Sequence, residues 1–207
     1  MPDFTLEQQW VRRGAARIAG IDEAGRGPWA GPVVAAAVCL PMETLPAELR
    51  SGLDDSKKLT PARRETLFDA LQSCAEIGVG RADVEEIDML NILQASLLAM
   101  RRAVAVLGAL PAAALVDGRQ DPGLDCPVET VIKGDGRSLS IAAASIVAKV
   151  TRDREMAALA AQHPGYGWER NQGYGTAEHR QALATLGPCA QHRRSFRPIS
   201  QLVGSRL

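Results

Sequence analysis

IAGIDEAGRGPWAGP, Ile18 to Pro32, runs an apolar lead-in into two adjacent carboxylates, Asp22 and Glu23, and on into a turn whose single cation, Arg26, lies between Gly25 and Gly27. Apolar residues resume from Val33 to Leu40. The lead-in reads as a strand over Arg17 to Asp22. The resumption reads as a second strand, β-branched at its start and bounded by Pro32 and Pro41. Neighbouring residues of a regular strand face opposite sides of a sheet. Asp22 and Glu23 therefore serve one site only if the strand stops there, and the glycines that follow predict that it does. Two acids at the mouth of a buried strand suit a divalent-metal site, if the rest of the chain supplies partners.

Upstream, Thr5 and Gln8 stand in capping-box spacing and predict a short helix that ends at Gly14. Downstream, SGLDDSKKL (51–59) is a polar loop, and Thr60-Pro61 opens a helix that closes near Cys74. Ala75 to Ala82 alternates as a strand does. Apolar residues at helical period from Ile87 to Val104 predict one long helix over Val84 to Leu107. Short strands at Ala112–Val116 and Val128–Ile132 run into Asp117-Gly118 and Lys133-Gly134-Asp135-Gly136. A helix from Ser140 to about Ala161 begins with small residues, which permit close approach to a sheet. Then come a glycine-rich aromatic loop, HPGYGWERNQGYG, a short helix capped by Thr176, and a basic tail from His192 to Arg197. This order indicates an α/β fold with a mixed central sheet flanked by helices. The 207 residues fit one domain, with an N-terminal helix over about 1–16 and a small helical C-terminal region from about 162 to 207.

The net charge is formally zero, which excludes a purely electrostatic nucleic-acid binder and requires any such contact to come from a local patch. Four scattered cysteines, Cys39, Cys74, Cys126 and Cys189, form no C-x-x-C pair and predict reduced thiols rather than zinc or disulfides. With no signal sequence and no apolar run long enough to span a bilayer, a cytoplasmic chain is expected. GRGPWAG is not a dinucleotide fingerprint, because Pro28 and Pro32 prevent the helix that would hold a pyrophosphate.

Three places put an acid where a strand gives way to a loop: Asp22-Glu23, Asp117 and Asp135. Rigid strand ends beside adaptable loops favour function in α/β folds. Singly the evidence is thin, since Asp117-Gly118 and Asp135-Gly136 also read as ordinary turns. Together, carboxylates in one pocket repel unless a cation neutralises them, and all-oxygen ligands select Mg²⁺ or Mn²⁺. Two such ions about 4 Å apart clamp an in-line phosphoryl displacement.

The stretches GIDEAGRGPWAGPVVAAAV, DDSKKL, NILQAS, LVDGR, KGDGRSLSIAAASIVAKVTRD, HPGYGWERNQGYGTAEH and HRRSF cover most of the chain, and together they closely resemble type 2 ribonuclease H, the bacterial ribonuclease HII family. The resemblance implies a ribonuclease H-like fold and an endonuclease. Its substrates would be the RNA strand of RNA–DNA hybrids and DNA duplexes carrying embedded ribonucleotides. It implies a two-ion Mn²⁺ or Mg²⁺ site held by Asp22, Glu23, Asp117 and Asp135. Asp153, at the end of KVTRD, is a rival for the fourth place, but the family's fourth acid lies in the KGD element. Gly25-Arg26-Gly27 matches the element that contacts the 2′-hydroxyl and neighbouring phosphate, the group separating RNA from DNA. Tyr174 matches the tyrosine that packs on the sugar at the RNA–DNA junction, while Tyr166 reads as loop structure. Ser56 and Lys57 are candidate phosphate contacts, with a solvated loop as the plain alternative.

Lys133, Arg137, Lys149, Arg152 and Arg154, with Arg193, Arg194 and Arg197 in the tail, are candidates for a duplex-facing patch. The rival readings are another two-metal nuclease of the same superfamily and a non-catalytic hybrid-binding protein. A monomer is expected, and QLVGSRL at the end shows no aromatic docking motif that would identify a replication or repair partner.

Overall fold

In the computed structural model, which describes residues 1–204, β1 (Ile18–Ala24) occupies the middle of a five-stranded mixed sheet. It pairs antiparallel with β2 (Val33–Cys39) and parallel with β4 (Ala113–Asp117). The edges are β3 (Glu76–Ala82), antiparallel to β2, and β5 (Val128–Val131), parallel to β4. The mixed sheet is the one the element order predicts. All seven residues of β2, VVAAAVC, are buried, as a strand covered on both faces requires.

One face of the sheet is covered by α5 (Ile92–Ala105). The other is covered by α3 (Pro61–Cys74) and α6 (Leu139–Gln162). The pleat divides β2 between them: Ala36 and Val38 join the α3/α6 core, while Ala35 and Ala37 join the α5 core. The small residues at the start of α6 have a packing reason. A Cβ on Gly20 of β1 would stand 2.0 Å from the Ser140 carbonyl carbon, so strand and helix meet backbone to backbone there.

Three expectations are corrected. β1 does not stop at the two acids: Asp22, Glu23 and Ala24 still pair with Ala36, Ala35 and Val34 of β2. The long helix over Val84–Leu107 is two helices, α4 (Val84–Leu90) and α5, broken at Asn91. Asn91 takes φ 71°, and its side-chain oxygen accepts from the Leu93 and Gln94 N–H groups, so one residue ends one helix and caps the next. The apolar period hides the break because Ile87 and Met100 fill the same core. At the N-terminus, α1 (Thr5–Arg12) already includes Thr5. Asp3 Oδ1 accepts from the Thr5 N–H at 2.8 Å, and no Thr5–Gln8 capping box forms.

After α6 come α7 (Trp168–Asn171), α8 (Ala177–Leu186) and α9 (Arg197–Gly204). Thr176 caps α8 as expected, its hydroxyl accepting from the His179 N–H. The basic tail continues into α9 rather than staying extended. These helices share a small core with the loop after β1: Ala30, Met156, Tyr166, Trp168, Leu183 and Ile199. Of QLVGSRL, residues 205–207 lie outside the described residues. Among the described residues no helix is long and apolar enough to cross a membrane.

Candidate active site

Parallel pairing of β1, β4 and β5 sets their C-terminal ends side by side. In register, Ile21 lies opposite Val116 and Asp117 opposite Val131, so Asp22 and Asp117 are the next residues on adjacent strands. The chain leaving β5 passes Lys133, in the left-handed region at φ 55°, and enters a single 3₁₀ turn, Gly134–Gly136, that carries Asp135. Asp117 is joined to this turn directly, its Oδ1 accepting from the Gly134 N–H at 2.6 Å. Three of the four acids are thus delivered by neighbouring strand ends, and the fourth is adjacent in sequence.

The pleat explains how Asp22 and Glu23 share the site although β1 continues. Ala19 and Ile21 pack into the α5 core while Gly20 faces α6, which places Asp22 on the α6 side and Glu23 on the other. Asp117 follows Leu115, which packs with Ile141 of α6, and so shares Asp22's side. Glu23 reaches the others only around the end of the sheet.

The electrostatics are those of an uncompensated acid cluster. Burial raises the Asp22 carboxyl well above the usual range, and the charges of Glu23, Asp117 and Asp135 push it further in the same direction. Glu23 is raised by burial too, although the bond and charge of Arg26 pull the other way. Asp135 is raised by burial and by the charge of Asp55, with Lys57 opposing. Arg26 donates to Glu23 Oε1 at 3.1 Å, while Glu23 Oε2 is buried with no hydrogen-bond partner. Asp22 Oδ1 accepts from the Glu23 N–H at 2.7 Å. Among the described residues no three His, Cys, Asp or Glu side chains are grouped to hold an ion as they stand; Asp22, Glu23 and Asp117 each accept from a nearby donor. The donor set nevertheless fits a hard divalent cation. It is all oxygen, one buried carboxylate oxygen is orphaned, and every resolved shift among the acids is upward, the direction an added positive charge reverses.

The turn after the acids is held from beneath by two arginines. Gly25 adopts φ 95°, and a Cβ there would lie 1.9 Å from Arg152 Nε. Arg152 is buried and donates to the carbonyls of Pro32, Ala30 and Gln172. Arg193, wholly buried, donates to the carbonyls of Gly25, Arg26, Gly31 and Pro32. Burial, then the neighbouring Arg152 charge, pushes Arg193 down to about 9, so it stays a cation at neutral pH. Arg152 and Arg193 are therefore not part of a duplex-facing patch. Their charges are spent on backbone dipoles inside the protein. Lys149 pairs with Asp153 at 2.6 Å, and Arg154 pairs with Glu65. Lys133, Arg137, Arg194 and Arg197 are exposed.

Tyr174 is exposed and stands over Gly27, its ring carbon 3.4 Å from where a Cβ would be. Trp29 fixes the same arrangement: its N–H donates to the Gly173 carbonyl at 2.8 Å, and its ring packs on Gly175. Gly25, Arg26, Gly27 and Tyr174 thus form one ledge beside the acids. Tyr166, by contrast, is buried and stacks on Trp168.

Ser56 does not fit a phosphate contact. Its side chain is buried and its hydroxyl accepts from Ser145 Oγ of α6 at 2.7 Å, so it anchors the loop. Lys57 faces the cluster. Partial burial lowers its ammonium, but the charges of Asp22, Asp55, Asp135 and Asp117 outweigh this and raise it. Asp153 is tied to Lys149 on its own helix and to Arg64 of α3. Sequence reasoning missed Asp55, whose charge bears on Asp135, and the buried roles of Arg152 and Arg193. The signal for Asp55 was its place in DDSKKL, two residues before Lys57, which faces the acids. A cleft of about 460 Å³ lined by Pro32, Arg81, Glu85, Glu155 and Gln191 contains none of the acids.

Residues 19–199 match the family model described as Ribonuclease HII. A ribonuclease HII of Ruegeria pomeroyi is 60% identical over 203 residues, covering 98% of this chain and 85% of that one. A ribonuclease HII of Paramagnetospirillum magneticum is 59% identical over 201 residues, covering 97% and 98%. Among solved structures, the ribonuclease H2 of Pyrococcus horikoshii OT3 superposes with a TM-score of 0.76 at 28% identity, covering 91% of this chain and 98% of that one. A match along nearly the whole sequence, on a sheet that gathers the acids at one end, leaves one assignment: the chain belongs to the ribonuclease HII family and is a type 2 ribonuclease H endonuclease.

Proposed function

We propose that this endonuclease hydrolyses the RNA strand of RNA–DNA hybrids and nicks DNA duplexes on the 5′ side of an embedded ribonucleotide, leaving a 3′-hydroxyl and a 5′-phosphate. The observation that carries the reading is the ledge of Gly25, Arg26, Gly27 and Tyr174 alongside the acids at the ends of β1, β4 and β5. The acids lie at the open end of the sheet, an arrangement suited to a duplex rather than an enclosed small molecule. Asp22, Glu23, Asp117 and Asp135 would hold two Mg²⁺ or Mn²⁺ ions, with Asp22 shared between them. Bound there, the ions supply an activated water and stabilise the leaving oxygen. The chain's own residues position the strand. Backbone amides and Arg26 meet the phosphate and the 2′-hydroxyl, Tyr174 packs on the sugar at the junction, and Lys57 faces a phosphate next to the scissile one. Four unpaired thiols support a reducing cytoplasm as its compartment, and we take the chain to be one domain and a monomer.

The test is a DNA duplex carrying one ribonucleotide, incubated with Mg²⁺ and with Mn²⁺. Nicking 5′ to the ribonucleotide is expected, and equal cutting of an all-DNA duplex would overturn the reading. Asp22→Asn should abolish cleavage and retain duplex binding, with a loss of at least about 10³-fold in kcat. A wild type with no metal-dependent turnover would instead indicate a binding protein.

A further inference from the structure

We propose that the buried imidazole pair His179–His192 is a positioning device that fixes Tyr174 relative to the Gly25–Gly27 turn, so that the two halves of the substrate ledge are set by one segment of the C-terminal region. This rests on the ledge being the substrate-reading surface. The hydrogen bonds around the pair leave one assignment of protons. The Cys189 N–H donates to His192 Nδ1 at 3.0 Å, so the His192 proton sits on Nε2. Nε2 in turn lies 3.0 Å from His179 Nε2, which also accepts from the Trp168 indole N–H at 3.2 Å. His179 Nε2 is therefore bare, its proton is on Nδ1, and Nδ1–H donates to the Tyr174 carbonyl at 3.0 Å. A single direction of donation runs from Cys189 through both rings to Tyr174.

Both rings are fully buried among Trp168, Tyr166 and Trp29, which leaves them no water to substitute for a lost partner. The next residue in the chain is Arg193, which grips the Gly25 and Arg26 carbonyls, and His192 itself bridges to Ala30 in the loop between β1 and β2. The dipeptide His192-Arg193 thus holds His179, and through it the Tyr174 carbonyl, with one side chain and the glycine turn with the other. GTAEH and HRRSF supply the two histidines, neither of which touches the acids. Their role is to set spacing.

Two substitutions separate this role from general packing. His192→Asn keeps an acceptor near Cys189 but is too short to reach His179. His192→Gln reaches His179 with an amide N–H and gives up Cys189. On the one-ribonucleotide duplex, His192→Asn is expected to raise KM about tenfold with kcat changed less than about twofold, and His192→Gln to restore KM to within about threefold of wild type. His179→Asn, whose amide still meets the Tyr174 carbonyl but not His192, tests the same link from the other side and should raise KM likewise if His192→Asn fails to fold. The Mn²⁺-induced rise in melting temperature, which reports the acids, should be the same in all of them. An unchanged KM in either folded asparagine variant, or a His192→Gln defect equal to that of His192→Asn, overturns the proposal. A wild type that does not nick this duplex overturns the substrate reading instead, so the two failures are distinguishable.

Discussion

Arg26 joins the two parts of the proposed site. Its guanidinium donates to Glu23 while its backbone carbonyl is held by Arg193. From the sequence, catalysis and recognition share a turn but divide by residue. In the structure, removing Arg26 also removes the group that holds the Glu23 carboxyl down against burial and the Asp117 charge. Arg26→Ala should therefore raise KM on the one-ribonucleotide duplex about tenfold, and should also weaken Mn²⁺ binding by a few-fold, more at pH 6 than at pH 8, because without Arg26 the Glu23 carboxyl is raised further. Titrating the metal by melting temperature at the two pH values checks this. Equal metal affinity of variant and wild type at both would separate the tasks again. The acids themselves were legible in the sequence because each lies at or just beyond a run of strand residues. Arg152 and Arg193 were not, since a basic residue in a charged stretch looks the same whether it meets water or a layer of buried carbonyls.

At the scale of elements, the site is a product of strand direction and of one glycine. Parallel β1, β4 and β5 bring their acids to one end, a relation that element order predicts once a mixed sheet is inferred. β1 runs two residues further than the Arg17–Asp22 strand read from the sequence, pairing up to Ala24 and stopping just before Gly25. Gly25 stands at the place where Arg152 needs room. Gly25→Ala would meet Arg152 Nε at 1.9 Å and force a side chain into φ 95°. We expect a loss of about 3 kcal/mol or more, and with it a drop of roughly 6–12 °C in melting temperature. Calorimetry measures it, and a drop under a few degrees would mean that Arg152 can step aside. The break between α4 and α5 was illegible for a related reason. Asn91 interrupts the backbone without interrupting the apolar face, so periodicity, which sees only faces, runs straight through.

Taken whole, the molecule carries a site that works against its own stability. Asp22, Glu23 and Asp135 are all raised by burial, so folding favours their protonated forms. For a group whose folded pKa lies above its unfolded value, stability is fully present below the unfolded pKa and declines as pH rises through the folded one. The metal-free protein should thus lose stability from the ordinary carboxylate range upward. Asp22→Asn, which removes the most strongly affected charge, should raise the metal-free melting temperature by several degrees at pH 8 and by little at pH 4. Mn²⁺ should raise that of the wild type at pH 8 and do less for the variant. A variant that melts below the wild type at pH 8 would show that the Asp22 bond to the Glu23 N–H outweighs the repulsion.

The grip of Arg193 on Gly25 joins residues 168 positions apart. During synthesis the acids, the turn, the described strands and Arg152 leave the ribosome before Arg193, the second arginine that holds the turn, exists. A chain interrupted short of His192-Arg193 would possess all four acids and a turn held by Arg152 alone. Order of translation thus makes the locking of this turn one of the last steps in assembling the site.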